Sequence, residues 1–112
     1  DPAASALSAA REMVRRLKAE VPELDAGVGV SQGLVIAGNI GATQRLEYTV
    51  IGDPVNEAAR LTEQAKDRPE RIVASQRIVD RARSADERKQ WTFLEPLTLR
   101  GRLEPTVLAV PI

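Results

Sequence analysis

Asn56 and Arg60 stand four residues apart, just after the turn signal Gly52-Asp53-Pro54. On a helix that spacing puts both on one face. A carboxamide beside a guanidinium can hydrogen-bond ribose or phosphate oxygens and offset negative charge that develops on them. The spacing equally suits a plainer arrangement, with Asn56 in a first turn for capping reasons and Arg60 paired with Glu57 or Glu63, since such surface pairs are common. The chain has no histidine and no cysteine. That removes the commonest general base and metal ligand, and with them any thiolate or disulfide chemistry. Lys plus Arg and Asp plus Glu come to 16 each. This balance argues against generic nucleic-acid or membrane-surface binding, while leaving room for a local basic pocket.

The elements that must position such a pair can be read from periodicity. From about Ala3 to Glu20, the residues Ala6, Leu7, Ala10, Met13, Val14 and Leu17 recur at helical spacing. Val21-Pro22 closes the segment, because proline disfavours helix at the residue before it. The alternation Ala26-Gly27-Val28-Gly29-Val30-Ser31 reads as a strand, Gln32-Gly33 as a turn, and Leu34 to Gly38 as a second strand, together a candidate hairpin. Asn39 to Gln44 is expected as a loop and Leu46 to Ile51 as a third strand. Asp53-Pro54 is a helix start, with Asp53 as the cap and proline at the first helical position. That helix is expected to reach about Lys66 and to bury Val55, Ala58, Ala59, Thr62 and Ala65. Arg71 to Ala74 reads as a short strand, Ser75 as the cap of a helix to about Arg83, and Arg83 to Gln90 as a charged, solvated turn. Trp91 to Leu94 and Thr106 to Val110 read as strands. Phe93, Tyr48 and Trp91 are the only aromatics, so the core must be aliphatic. Helices mixed with hairpins indicate an α+β layer structure. No apolar run approaches the length of a membrane span, and no signal peptide is visible.

The run Glu47-Tyr-Thr-Val-Ile-Gly-Asp-Pro-Val-Asn-Glu-Ala-Ala-Arg-Leu61 resembles the signature of class III adenylate and guanylate cyclases. The preceding Gly27-Val-Gly-Val-Ser-Gln-Gly-Leu-Val-Ile-Ala-Gly-Asn-Ile-Gly41 is similar to that family's glycine-rich hairpin, and Leu99-Arg-Gly-Arg-Leu-Glu-Pro105 resembles its final hairpin. The segments come in the family's order and span nearly the whole chain. The resemblance implies a ferredoxin-like cyclase palm, with residues 1–112 as the C-terminal portion of a single catalytic domain that lacks its N-terminal strand and metal-binding segment.

Site roles follow from the resemblance position by position. Asn56 matches the asparagine that orients the ribose in the transition state, and Arg60 the arginine that stabilises charge on the reacting phosphate. Thr49 matches the position that reads the purine edge, with the backbone of Val50 close by. Many adenylate cyclases have Asp there, a bacterial subgroup Thr or Ser, and guanylate cyclases usually Cys or a similar small residue, so Thr49 favours adenine. A threonine hydroxyl can both donate and accept a hydrogen bond. Arg100 falls where the family has a lysine on the terminal phosphates; arginine keeps the charge and changes the geometry. Family members hold two magnesium ions with two aspartates upstream of the first helix. Asp1, Asp25 and Asp53 are not in matching contexts, so no metal ligand is expected on this chain, and the longer protein is expected to use Mg2+ or Mn2+. The implied reaction is ATP to cyclic AMP and pyrophosphate, in a homodimer with active sites at the interface. The 112-residue chain alone is expected to be inactive and to self-associate. A guanylate cyclase, or a degenerate cyclase-like regulatory or dimerisation module, is the alternative. Asp1-Pro2 with no initiator methionine suggests a piece of a longer protein, expected to be a cytoplasmic domain of a protein that membrane anchoring would not contradict.

Overall fold

The computed structural model describes residues 1–24, 26–33, 36–40, 47–51 and 53–112, with 36–40 and 47–51 given by their backbone. Helix α1 spans Pro2–Glu20. Strand β1 is Val28–Val30, β2 is Ile36–Ile40 and β3 is Glu47–Ile51. Helix α2 follows at Asp53–Lys66 and strand β4 at Ile72–Ser75. Two short helices, α3 at Gln76–Arg81 and α4 at Ala85–Arg88, lead to β5 at Trp91–Phe93 and β6 at Leu108–Pro111. The α+β reading holds, and the main sheet is mixed, in the order β1-β4-β6-β5. β1 runs parallel to β4, while β6 is antiparallel to both β4 and β5.

Strand β4 sits between two helical layers, and its period of two sorts its side chains. Ile72 and Ala74 face a core built with Leu7, Ala10 and Val14 of α1 and Ile78 and Val79 of α3. Val73 faces the opposite core, with Leu61 and Ala65 of α2, Leu99, Leu108 and Val110. β1 divides its residues the same way. Val28 and Val30 pack on the α1 side, while a Cβ at Gly29 would lie 2.5 Å from the Ala58 carbonyl oxygen and 2.6 Å from the Thr62 nitrogen. The α2 backbone therefore rests directly on β1, and only glycine fits between them. The Gly-Val alternation serves two faces, with glycines for the helix and valines for the core.

Five expectations change. Among the described residues the candidate hairpin of Gly27 to Gly38 is not formed: β1 pairs with β4, whereas β2 pairs with β3 in a two-stranded sheet of its own. Valines on one side of β1 and glycines against α2 fit the strand to the sheet edge beside β4. β2 also runs on through Asn39 and Ile40, into the expected loop. The buried face of α2 is Pro54, Glu57, Leu61 and Ala65; of the expected set Ala65 is buried, Ala58 and Thr62 are half-buried, and Val55 and Ala59 are exposed. Leu61, fully buried, draws the helix round, and Glu57 follows because Ser31 and Arg102 satisfy its carboxylate. On α1, Ala6 and Met13 are exposed while Ala3 and Ala4 are buried. The stretch Arg83 to Gln90 is not all solvated, since α4 buries Glu87 beneath Arg11 and Trp91. Leu34, Val35 and Leu46, expected in strands, lie outside the described residues, as do Gly41 to Gln44 and Asp25.

Candidate functional site

Helix α2 carries the candidate residues Asn56 and Arg60 on the face turned away from the sheet. Asn56, Arg60 and Glu63 recur at four and three residues, which stacks them in one stripe. The buried stripe of Pro54, Glu57, Leu61 and Ala65 occupies the other side of the helix. Asn56 is exposed, in the first turn of α2, and Arg60 is partly buried. The Arg60 Nη1 donates to Glu63 Oε1 at 2.8 Å, so the plainer ion pair does form.

The second arm comes from the far end of the chain. Leu97 and Thr106 exchange backbone hydrogen bonds of 2.9 Å as an isolated antiparallel bridge. Between them Leu99 is buried in the α2-side core, and its carbonyl accepts from the Arg102 amide at 3.0 Å. This closes a tight turn over Arg100 and Gly101, and the φ of +80° at Gly101 is one that a residue with a side chain rarely adopts. With Leu99 anchored inward, Arg100 projects outward, and its Nη2 donates to Glu63 Oε1 at 2.9 Å. The structure thus brings Arg60 and Arg100 together on one carboxylate oxygen.

One residue past the glycine, Arg102 fastens the same turn to the start of α2. Its Nη1 and Nη2 donate to Asp53 Oδ1 and Oδ2 at 2.7 and 3.2 Å, and Nη2 stands 3.4 Å from Glu57 Oε2. The hydrogen bond that Arg102 donates to Asp53, with the nearby acidic charges, raises its guanidinium above the ordinary value against the opposing pull of burial. Asp53 was expected to cap α2. It is instead the first helical residue, where an acidic group suits the helix dipole, and its carboxylate takes Arg102. Glu57 completes the cluster by accepting from Ser31 Oγ at 2.6 Å. The sequence reading named Glu63 only as an ion-pair partner and missed Arg102, although the Arg-Gly-Arg spacing at Arg100 and Arg102 was a signal for two arginines leaving one turn.

Thr49 and Val50 lie on β3, opposite Gly38 and Ala37 of β2 in the antiparallel register. They belong to the two-stranded sheet, separate from the stripe on α2. Among the described residues, no group of three or more His, Cys, Asp or Glu side chains could hold a metal ion. Asp1 is spent elsewhere: it caps α1 through Ala4 and accepts from the Ser84 amide at 2.8 Å. Among the described residues no helix is long and apolar enough to cross a membrane.

Comparison with known proteins agrees with this architecture. Residues 5–110 match the adenylate and guanylate cyclase catalytic domain. The uncharacterised protein Rv1319c of Mycobacterium tuberculosis is 53% identical over 110 residues, which is 98% of this chain and 20% of that protein. The chain thus spans about a fifth of the length of such relatives. The structure of a bacterial light-regulated adenylyl cyclase superposes with a TM-score of 0.63 at 25% identity, covering 76% of this chain and 22% of that one. The guanylyl cyclase Cya2 shares the fold, with a TM-score of 0.69 at 23% identity over 99% of this chain and 58% of that one. A match over residues 5–110 of 112, with the mixed sheet and helical layers of a cyclase palm, places this chain in the adenylate and guanylate cyclase catalytic-domain family.

Proposed function

We propose that the protein carrying this chain is an adenylate cyclase, and that this chain supplies the residues that read the base and stabilise the transition state. One observation supports the reading above the others: Arg100, exposed on a turn far along the chain, meets Arg60 on the stripe that Asn56 begins. Two guanidiniums and a carboxamide on one exposed surface make a receiver for a sugar and a polyphosphate.

In the proposed reaction the ribose 3′-oxygen attacks the α-phosphorus of ATP. The bond from the α-phosphorus to the bridging oxygen breaks, pyrophosphate leaves with the electron pair, and the hydroxyl proton passes to solvent. Asn56 orients the ribose, Arg60 meets the charge that grows on the α-phosphoryl oxygens, and Arg100 holds the terminal phosphates. These contributions are positioning and preorganised charge stabilisation. Thr49 and the backbone of Val50 read the purine edge, with adenine favoured by the threonine. The Mg2+ or Mn2+ that this reading implies takes its ligands from residues outside this chain. A homodimer with the active site at its interface would join the two halves.

The test is turnover by the full-length protein, with ATP and GTP compared and cyclic nucleotide measured. ATP should be cyclised in preference to GTP. Asn56→Ala and Arg60→Ala should each lower kcat by roughly a hundred- to a thousandfold with little change in KM, as expected for donors that act mainly in the transition state. Preference for GTP would make it a guanylate cyclase. Absence of turnover with either nucleotide would leave a cyclase-like regulatory module. Variants that fold and turn over within a few-fold of the unsubstituted protein would remove Asn56 and Arg60 from the site.

A further inference from the structure

Glu63 has no part in the reaction as proposed, yet both phosphate-directed arginines end on it. Arg60 Nη1 and Arg100 Nη2 donate to the same atom, Oε1, at 2.8 and 2.9 Å. One arginine comes from the same helix three residues earlier, the other from a turn thirty-seven residues on. Two cations on separate elements repel one another, and a carboxylate between them offsets that repulsion. The arrangement is not sealed: the Glu63 side chain is 48% exposed and that of Arg100 74%. Solvent-exposed pairs of this kind are individually weak and exchangeable. Asp53 and Glu57 leave Glu63 to this task, because Arg102 and Ser31 already engage them.

We propose that Glu63 is a positioning residue that gathers Arg60 and Arg100 into a single polyphosphate receiver and gives them up when the polyphosphate arrives. This deepens the cyclase reading and rests on it. The carboxylate stands in for the phosphate in the empty site. It holds the two guanidiniums convergent, and an incoming chain of phosphates, with more charge and more acceptor oxygens, displaces it. Glu63 therefore acts in two opposed directions. It competes with the incoming anion, and until that anion arrives it keeps the two arginines convergent.

The experiment uses the full-length protein with inorganic tripolyphosphate as the probe, titrated calorimetrically without metal, alongside steady-state turnover. Glu63→Gln removes the competing charge and keeps a weaker neutral acceptor. Tripolyphosphate should bind about three- to tenfold more tightly, the scale of losing one or two exposed ion pairs. The value of kcat should stay within about twofold, because Glu63 has already released both arginines once the polyphosphate is bound. Glu63→Asp keeps the charge on a shorter arm and should fall between the two in tripolyphosphate affinity; it serves equally if Glu63→Gln does not fold. Arg100→Ala should weaken tripolyphosphate binding and abolish the gain from Glu63→Gln in the double variant. A purely structural ion pair would move the melting temperature and leave the tripolyphosphate affinity unchanged, and that result overturns the proposal. Loss of affinity in Glu63→Gln overturns it as well. If the unsubstituted protein cyclises no nucleotide but the affinity gain appears, the cyclase reading fails and the anion receiver stands. If it cyclises ATP and the gain is absent, the reverse holds.

Discussion

At the scale of single residues, the described chain contains two clusters in which arginine meets buried carboxylate, and they do different work. Arg102 with Asp53 and Glu57 fixes the turn that carries Arg100 to the helix that carries Asn56. Arg11 with Glu87 ties α1 to α4: Nε and Nη2 donate to the two carboxylate oxygens at 2.8 and 2.6 Å, and Trp91 Nε1 adds a third bond at 2.8 Å. Burial pushes the Glu87 carboxyl up, but the bonds from Arg11 and Trp91 outweigh it, and the group is held below the usual carboxylate range. The sign follows from proton linkage. A carboxyl depressed in the folded state contributes stability above its unfolded value of about 4.3, and that contribution is lost as pH falls through the lower folded value. Glu87→Gln should therefore destabilise the fold by about 1–3 kcal/mol near neutral pH, the scale of hydrogen bonds to a charged group. Urea midpoints measured against pH should show the gap between variant and unsubstituted protein closing below about pH 4. A gap independent of pH would mean that shape, not ionisation, holds this contact.

At the scale of elements, the close approach of α2 to β1 is the feature on which the placement of Asn56 and Arg60 depends. Ala58 and Thr62, whose backbones meet Gly29, flank Arg60 on the same helix. A methyl group at Gly29 would press on backbone atoms that cannot rotate aside. Gly29→Ala should cost about 1–3 kcal/mol, the usual range for overpacking. Gly27→Ala should cost less, because its Cβ would meet Lys66 and Thr62 at 2.9–3.0 Å. Urea unfolding of both variants checks the order, and equal stability of Gly29→Ala with the unsubstituted protein would show that α2 moves freely off the sheet. The sequence made much of this legible. Helical spacing located α1, Asp53-Pro54 located the start of α2, and alternation located β1, because periodicity and turn chemistry are local properties. Partnership was not legible. Val28–Val30 followed by a Gln32-Gly33 turn looks like half a hairpin, and only the sheet shows that its partner is Ile72–Ala74, forty-four residues on. The buried face of α2 was misjudged for a related reason. A glutamate counts as a surface residue until Arg102 and Ser31, both distant in sequence, are known to satisfy it. Asn56 and Arg60 were read from spacing and family resemblance, whereas the convergence of Arg60 and Arg100 on Glu63 depends on a turn whose destination no local pattern records.

At the scale of the whole molecule, the described surfaces are incomplete in a way that bears on association. β1 and β5 are the edges of the four-stranded sheet, and among the described residues each has one strand partner. β2 and β3 form a two-stranded sheet, an arrangement that is marginal in water unless something packs on it. That sheet carries Thr49 and Val50, so the base-reading strand of the proposed site is also the element most in need of a partner surface. Exposed apolar residues add to the case: Met13 on the outer face of α1, Val55 beside the site, and Phe93 on the edge strand are each at least 40% exposed. Unpaired edges template pairing with a further chain, and apolar patches favour contact. The 112-residue chain by itself should therefore self-associate at micromolar concentration, in a geometry that need not be that of a catalytic dimer. On the proposed reading, in which the metal ligands come from residues outside this chain, it should also make no cyclic AMP. Sedimentation velocity over a concentration series, with a turnover assay on the same samples, measures both. A cooperatively melting monomer at tens of micromolar would show that β2 and β3 are satisfied within the chain, and cyclic AMP production by that monomer would require a reactive centre built from these residues alone.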